Sequence, residues 1–293
     1  MNEYLQSVLL GIVEGLTEFL PVSSTAHLRI SEALMNLPLD DPYWKMYTIV
    51  IQLGAILALC LLFMGRIVEF ARTFPKGENG GKTWFNHPIS LTLIAFACTS
   101  APALLLHKWS EKNLGSIKAM AWALLLGGIV MWIIDAWSVR HEAGTRDVEE
   151  MNLPQAVWIG LCQTLSAIFP GTSRSMSTIA AGQVVGLTRP AALEFSFLLS
   201  IPTMVAATCW DLVKEIHPGH AAMAAGIDAP HVVMDSTRWM VLIIGTVVSF
   251  FVALGVVEWF LYWVRKHGLV IFALYRILLG GALLAMGSQF IGR

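Results

Sequence analysis

Two short polar segments interrupt long apolar stretches of the chain, and their residue types could act on phosphate. The first, EGLTEFLPVSSTAH over residues 14–27, holds two carboxylates, three adjacent hydroxyls and a histidine. The second, PGTSRS over residues 170–175, holds three hydroxyls and an arginine. Carboxylates hold cations, imidazole exchanges protons near neutral pH, and guanidinium binds phosphate oxygens in a bidentate manner. Such a set suits charge neutralisation and proton transfer on a phosphate ester.

Glu14 and Glu18 stand four residues apart, so a helix places both carboxylates on one face. Each charged side chain at membrane depth costs about 2.5–3.5 kcal/mol on insertion scales, and the two like charges also repel. The pair therefore needs a divalent cation, a basic side chain or a shared proton. We expect Glu14 and Glu18 to bind Mg²⁺ or Ca²⁺ jointly. The simpler alternative is a half-helix that merely faces water.

Three hydroxyl residues, Ser23, Ser24 and Thr25, follow Pro21 at the expected start of a second half-helix. A helix N-terminus presents free N–H groups and the positive end of the helix dipole, which favour a bound phosphate. His27 lies one helical turn after Ser24, so both side chains share one side. A lone histidine is more often structural, but a histidine beside carboxylates and hydroxyls favours a catalytic role.

The second break offers Thr172, Ser173, Arg174 and Ser175 as substrate-binding residues. A cation at a membrane helix break is costly unless it meets an anion, and arginine pairs well with phosphate. The alternative partner of Arg174 is a carboxylate of the first break. Both pairings can hold in turn, without and with substrate.

The composition places these breaks in a membrane. The chain has 293 residues, of which 56% are apolar and 13% are charged, whereas soluble domains average about 25% charged residues. Soluble, disordered and fibrous proteins are thereby excluded. A net charge of −1 provides no electrostatic attraction for nucleic acid. The four cysteines lie in separate apolar stretches, which indicates neither a disulfide framework nor a zinc site.

Six apolar stretches are long enough to cross a bilayer, which takes about 20 residues. They are residues 43–64, 88–107, 117–136, 190–210, 239–262 and 269–290. Two further apolar segments, 4–35 and 153–186, are broken by the polar motifs into halves too short to cross. We therefore predict an all-α polytopic membrane protein with six transmembrane helices and two re-entrant helical hairpins.

The two broken segments also resemble each other. Aligning Gly11 with Gly160 places Pro21 on Pro170 and Ser24 on Ser173. This predicts one membrane domain of two repeats, 1–146 and 147–293. Each repeat has one hairpin and three spans, and since three is odd the repeats are inverted. Paired broken segments in such repeats indicate a binding site at their interface.

The two polar motifs together resemble the undecaprenyl-pyrophosphate phosphatases, the bacitracin-resistance family of bacterial inner-membrane enzymes. Further matches are VIQLG at 50–54, EFSFLL at 194–199 and ALYR at 273–276. The resemblance implies removal of the terminal phosphate from the C55 lipid carrier, undecaprenyl diphosphate, with a divalent cation and a site facing the periplasm. It also implies that Glu14 and Glu18 form the family's acidic motif, that Ser23, Ser24 and His27 belong to the site, and that Arg174 binds phosphate.

Several alternatives stay open at this point. Inverted repeats with broken helices are also typical of transporters, so a transporter or flippase for a polyprenyl-phosphate lipid is the rival function. Either His27 or Ser24 could be the nucleophile. A homodimer is a further open alternative. Slightly more Lys and Arg on one side of the predicted spans places both termini outside the cytoplasm.

Two other groups of residues are expected to be structural. Glu258 should form a buried pair with Lys266 or Arg276 between the last two spans. His217, His220 and His231 fall in a long predicted loop, where solvated histidines are commoner than metal ligands.

The first apolar run has no preceding Lys or Arg, so we expect it to belong to the mature fold rather than to a signal peptide.

Overall fold

A computed structural model describes residues 2–38, 41–77, 80–111, 116–141, 144–216 and 234–286. These residues form eleven α-helices and one short 3₁₀ turn, Val148–Glu150. In chain order the helices are α1 Glu3–Thr17, α2 Ser24–Leu34, α3 Pro42–Leu62, α4 Met64–Thr73, α5 Pro88–Glu111, α6 Ile117–Arg140, α7 Leu153–Ile168, α8 Arg174–Val184, α9 Arg189–Ile216, α10 Ser236–His267 and α11 Val270–Ala285. The all-helical class is confirmed. The three loop histidines lie outside the described residues.

Five of the helices are long and apolar enough to cross a bilayer: α3, α5, α6, α9 and α10. They correspond to five of the six predicted spans, which makes the protein a multi-pass membrane protein. The sixth predicted span, 269–290, contains α11, an apolar helix of 16 described residues, Val270–Ala285. Its predicted last residues lie beyond the described part of the chain.

Two pairs of short helices lie at the positions of the two broken segments. The pair α1 and α2 flanks Pro21, and the pair α7 and α8 flanks Pro170. Ser23 and Ser173 cap the second helix of each pair with closely similar backbone angles, φ 74° and φ 72°. A positive φ is uncommon outside glycine. Strain of this kind concentrates at functional sites, so both caps mark the breaks as more than connectors.

The first hairpin packs against a helix of the second half of the chain, and the second hairpin against one of the first half. Helix α1 lies along α10, and α7 lies along α5. Glycines allow both approaches: a Cβ on Gly11 would lie 2.6 Å from the Gly245 carbonyl oxygen, and one on Gly160 would collide with the Ala95 carbonyl. Each break is therefore held in place by the other half of the chain.

A separate polar network joins α6, α8, α9 and the residue that precedes α11. Asp135 of α6 is fully buried and accepts hydrogen bonds from Arg189 Nε at 2.7 Å and Nη2 at 2.8 Å. Gln183 Nε2 and the Leu269 backbone N–H donate to the same carboxylate. A buried charge satisfied by several donors fixes the relative positions of the helices that supply them.

Candidate active site

The two breaks meet inside the bundle. Ser175 Oγ, in the first turn of α8, donates to the Leu20 carbonyl oxygen of the first break at 2.9 Å. Arg174 Nη2 lies 3.4 Å from Glu18 Oε1. The side chains of Arg174 and Glu18 are 12% and 8% exposed, so this ion pair is largely shielded from solvent. The folded chain thus brings the arginine of one break to a carboxylate of the other.

Glu18 is the centre of this contact, because each of its oxygens has a partner. Ser24 Oγ donates to Glu18 Oε2 at 2.6 Å, while Arg174 faces Oε1. A short hydrogen bond to a carboxylate polarises the hydroxyl and gives its proton an acceptor. The trio therefore has the arrangement of a base, a hydroxyl nucleophile and an anion-binding cation. The salt-bridge partner considered for Arg174 is present in this state of the protein.

Glu14 is fully buried one helical turn before Glu18, and neither of its carboxylate oxygens has a hydrogen-bond partner among the described residues. A buried carboxylate without partners is strongly disfavoured unless it gains a cation or a proton. Among the described residues, no group of three or more His, Cys, Asp and Glu side chains could hold a metal. A cation held by these two carboxylates would have to take most of its ligands from water or phosphate, as Mg²⁺ commonly does.

The described hydrogen-bond partners of His27 are the Ser23 backbone and Tyr275 of α11. Its Nδ1 lies 2.7 Å from the Ser23 carbonyl oxygen, and its Nε2 lies 2.6 Å from the Tyr275 hydroxyl. The two rings are nearly parallel, with centroids 5.6 Å apart. His27 lies one helical turn after Ser24 on α2, and its hydrogen-bond partners differ from that of the Ser24 hydroxyl.

The remaining expected substrate-binding residues divide into two kinds. Ser23 and Ser173 use their hydroxyls as helix N-caps, accepting from the backbone N–H groups of Ala26 and Met176. Ser175 is buried and bonded to Leu20. Thr25 is exposed and Thr172 is partly exposed, so their side chains are the more accessible of the set.

Arg276 is the site residue whose role sequence reasoning misjudged. Its side chain is fully buried and donates to the carbonyls of Pro21 at 3.1 Å, Gly171 at 3.1 Å and Thr172 at 3.0 Å, and to Ala123 of α6. The expected buried pair with Glu258 is wrong, because Glu258 is exposed. One guanidinium instead joins both breaks. The ALYR match pointed to this residue, but backbone acceptors carry no sequence signal.

A cavity of about 480 Å³ opens beside His27, between α1, α10 and α11. Its walls are mostly aliphatic and aromatic. The lining residues are Leu16, Thr17, Leu20, Val22, His27, Gly255, Val256, Trp259, Trp263, Ile271, Phe272 and Tyr275. The polar break and an apolar cavity are therefore adjacent, as an amphipathic lipid with a charged head would need.

Comparison with known proteins identifies the family to which the chain belongs. The family model described as bacitracin resistance protein BacA matches residues 7–282, which include both breaks and Arg276. The chain belongs to the BacA family. It is 59% identical to the undecaprenyl-diphosphatase of Koribacter versatilis over 286 residues, which are 97% of this chain and 98% of that protein. The family resemblance drawn from the two polar motifs is confirmed.

More distant BacA proteins also align over nearly the whole chain. The undecaprenyl-diphosphatase of Caldanaerobacter subterraneus is 39% identical over 99% of this chain and 98% of its own length. That of Aquifex aeolicus is 38% identical over 96% of both chains. The similarity therefore extends through all the helices that build the site.

Proposed function

We propose that the protein hydrolyses undecaprenyl diphosphate to undecaprenyl phosphate and inorganic phosphate, recycling the lipid carrier for peptidoglycan synthesis and so conferring resistance to bacitracin. The relatives bear the name of this activity. The observation that carries the proposal is the partly buried trio in which Glu18 contacts Ser24 at 2.6 Å and Arg174 at 3.4 Å. A carboxylate, a hydroxyl and a guanidinium in contact supply the groups that phosphate transfer needs.

Arg174 would exchange partners when substrate arrives. Its guanidinium can leave Glu18 for the oxygens of the terminal phosphate, where it forms the planar, bidentate contacts that arginine favours. The N-terminal N–H groups of α2 and α8 stabilise the charge that develops on the same phosphate. Glu18 Oε1 is then free for the proposed cation, while Oε2 still accepts from the Ser24 hydroxyl.

Ser24 is the nucleophile that the geometry favours. Its Oγ forms a bond to the terminal phosphorus while its proton passes to Glu18, and the bond from that phosphorus to the bridging oxygen breaks. Undecaprenyl phosphate leaves. Water then attacks the phosphoserine and releases inorganic phosphate, while Ser24 regains a proton. His27, the rival nucleophile, lies one turn away and has its Nε2 bonded to Tyr275, so acid–base chemistry suits it better.

The proposed cofactor is Mg²⁺ or Ca²⁺, which Glu14 and Glu18 would hold. The unpaired oxygens of Glu14 support this assignment. When bound, the cation supplies charge neutralisation for the diphosphate.

We propose six spans and two re-entrant hairpins in inverted repeats, 1–146 and 147–293, within the bacterial inner membrane. The matching helix pairs, the matching positive φ of Ser23 and Ser173, and the exchanged packing of α1 and α7 support this topology. The site would face the periplasm, as the family resemblance implies. The repeats meet at the breaks, as a site at a repeat interface requires.

The test is phosphate release from undecaprenyl diphosphate by the purified protein in detergent. Ser24→Ala should reduce kcat about 10³-fold, within the range for loss of a group that acts at the reacting centre. Ser31→Ala, on the same helix α2 and two turns further on, is the matched control and should keep the wild-type rate. If the wild-type protein releases no phosphate in detergent but moves the lipid between the leaflets of reconstituted vesicles, the proposal is overturned in favour of a transporter.

A further inference from the structure

The hydrogen bond between His27 and Tyr275 joins residues 248 positions apart, across the α2 and α11 helices. The Tyr275 hydroxyl lies 2.6 Å from His27 Nε2. Both side chains line the apolar cavity, between the polar break and the aromatic walls formed by Trp259 and Phe272. A phenol hydroxyl that borders an apolar cavity needs a partner, and Nε2 provides it.

The other ring nitrogen decides which of the two atoms donates. His27 Nδ1 lies 2.7 Å from the Ser23 carbonyl oxygen, which can only accept a hydrogen bond. Nδ1 must therefore carry a hydrogen. In the neutral imidazole Nε2 then has a free lone pair, and the Tyr275 hydroxyl donates to it.

We infer that Tyr275 is a positioning residue for His27 in the proposed phosphatase reaction, and the inference rests on that proposed function. The backbone of the break fixes Nδ1, and Tyr275 fixes the direction of the Nε2 lone pair. This is the two-point attachment by which enzymes set the tautomer and orientation of an acid–base histidine.

The same contact lets the pair handle a proton without moving the ring. When Nε2 takes a proton, it becomes the donor and the Tyr275 oxygen accepts from it. The phenol hydrogen then rotates away from Nε2. No bond to carbon or phosphorus changes at Tyr275, so its effect on the reaction acts through His27.

Tyr275→Phe tests the inference because it keeps the ring, and hence the packing, while it removes the hydroxyl. Tyr262→Phe is the matched control: Tyr262 is exposed on α10, and its hydroxyl contacts Lys266. The first measurement is the rate at which diethyl pyrocarbonate acylates His27, followed by mass spectrometry of the peptide. The lone pair of an unprotonated imidazole nitrogen attacks a carbonyl carbon of this reagent and displaces monoethyl carbonate. The exposed His141 serves as an internal reference in each sample.

We expect acylation of His27 to be about 3–10-fold faster in Tyr275→Phe than in wild type, because loss of one neutral hydrogen bond frees the lone pair. Tyr262→Phe should leave that rate unchanged. An unchanged rate in Tyr275→Phe would overturn the hydrogen bond itself. This measurement needs no turnover, so it stands even if the wild-type protein releases no phosphate and the proposed function fails.

The second measurement separates positioning from packing through steady-state kinetics of phosphate release. Tyr275→Phe should lower kcat about 10–100-fold, as expected for a misdirected acid–base group, with KM within about twofold of wild type. A rise in KM at unchanged kcat would mean that Tyr275 binds substrate rather than positions His27, and would overturn the inference. Faster acylation with unchanged kcat would overturn it too.

Discussion

Arg276→Met removes a side chain of α11 that is bonded to both breaks. The guanidinium contacts the carbonyls of Pro21, Gly171 and Thr172 at 3.0–3.1 Å and is itself fully buried. Methionine keeps much of the side-chain length but offers no donor. The substitution should therefore loosen the register of the two helix N-termini on which the proposed phosphate site depends.

The expected loss of folding free energy in Arg276→Met follows from the carbonyl oxygens that lose their hydrogen-bond donor. Each buried carbonyl that loses its donor costs about 1–3 kcal/mol, so the three carbonyls of the breaks would cost about 3–9 kcal/mol before the fourth acceptor, Ala123 of α6, is counted. Removing a buried cation that has no carboxylate partner returns part of that cost. We expect a net loss near the lower end, about 3–5 kcal/mol, which corresponds to a fall in the unfolding midpoint of roughly 10 °C.

Two assays on protein purified in detergent measure the effect: the thermal unfolding midpoint and the rate of phosphate release. A misplacement of reacting groups by about 1 Å can cost about 10²-fold in rate, so kcat should fall at least that far at temperatures where the variant is folded. Arg276→Lys keeps the charge but reaches fewer carbonyls, and should lie between Arg276→Met and wild type in both assays.

Arg265→Met is the control, because Arg265 is exposed near the end of α10. It should leave both the unfolding midpoint and the rate unchanged. If Arg276→Met unfolds within about 2 °C of wild type and releases phosphate within about twofold of its rate, the guanidinium does not hold the breaks together and the reasoning from unsatisfied carbonyls fails.

Three further perturbations test other parts of the account. Arg174→Lys should lower kcat about 10²–10³-fold while the protein stays folded, since a single ammonium cannot replace the planar fork; near-normal turnover would reduce Arg174 to a counter-ion. Chelation with EDTA should abolish phosphate release and added Mg²⁺ or Ca²⁺ should restore it, with Glu14→Gln raising the cation concentration for half-maximal rate; full activity after thorough chelation would remove the metal role. Burial lowers the pKa of His87, the residue before α5, from its ordinary value of 6.5, so the folded state favours the neutral ring. The neutral His87 ring therefore contributes its full stabilisation above pH 6.5. That stabilisation is lost as the pH falls through the lower pKa of the folded state. The difference in unfolding midpoint between wild type and His87→Gln should therefore shrink between about pH 7.5 and pH 5, and a constant difference would contradict the assignment.

The sequence is sufficient to locate the two breaks and to name Glu18, Ser24 and Arg174, because their chemistry is unusual in an apolar stretch. Proline and capping serines mark the helix ends whatever the tertiary structure. Five of the six predicted spans are located equally well, since bilayer thickness sets their length. These features depend on local rules that act within a few residues.

The partners of Arg276 and Tyr275 could not be predicted in the same way. Arg276 donates to backbone carbonyls, which every residue has, so no residue type marks them. The proximity of Glu258 and Arg276 in the predicted hairpin suggested a pair instead, although Glu258 faces outward. Tyr275 meets His27 only because α11 packs beside the first break. Such contacts depend on how helices pack, which composition and spacing do not determine.

The partners of Arg66 could not be predicted from the sequence either. It contacts four carboxylates, of Glu69, Asp147, Glu149 and Glu194, which come from three separate parts of the chain. Only Glu69 lies near it in sequence. A charge cluster assembled from distant segments cannot be inferred from local charge patterns.

The most direct test of the central claim is a structure of the protein with a non-hydrolysable methylene analogue of a polyprenyl diphosphate. We expect the terminal phosphonate to lie within hydrogen-bonding distance of the Arg174 guanidinium and of Ser24 Oγ. Arg174 should then have released Glu18, and the prenyl chain should occupy the cavity beside Tyr275. A phosphonate bound elsewhere, with the contact between Arg174 and Glu18 intact, would contradict the account.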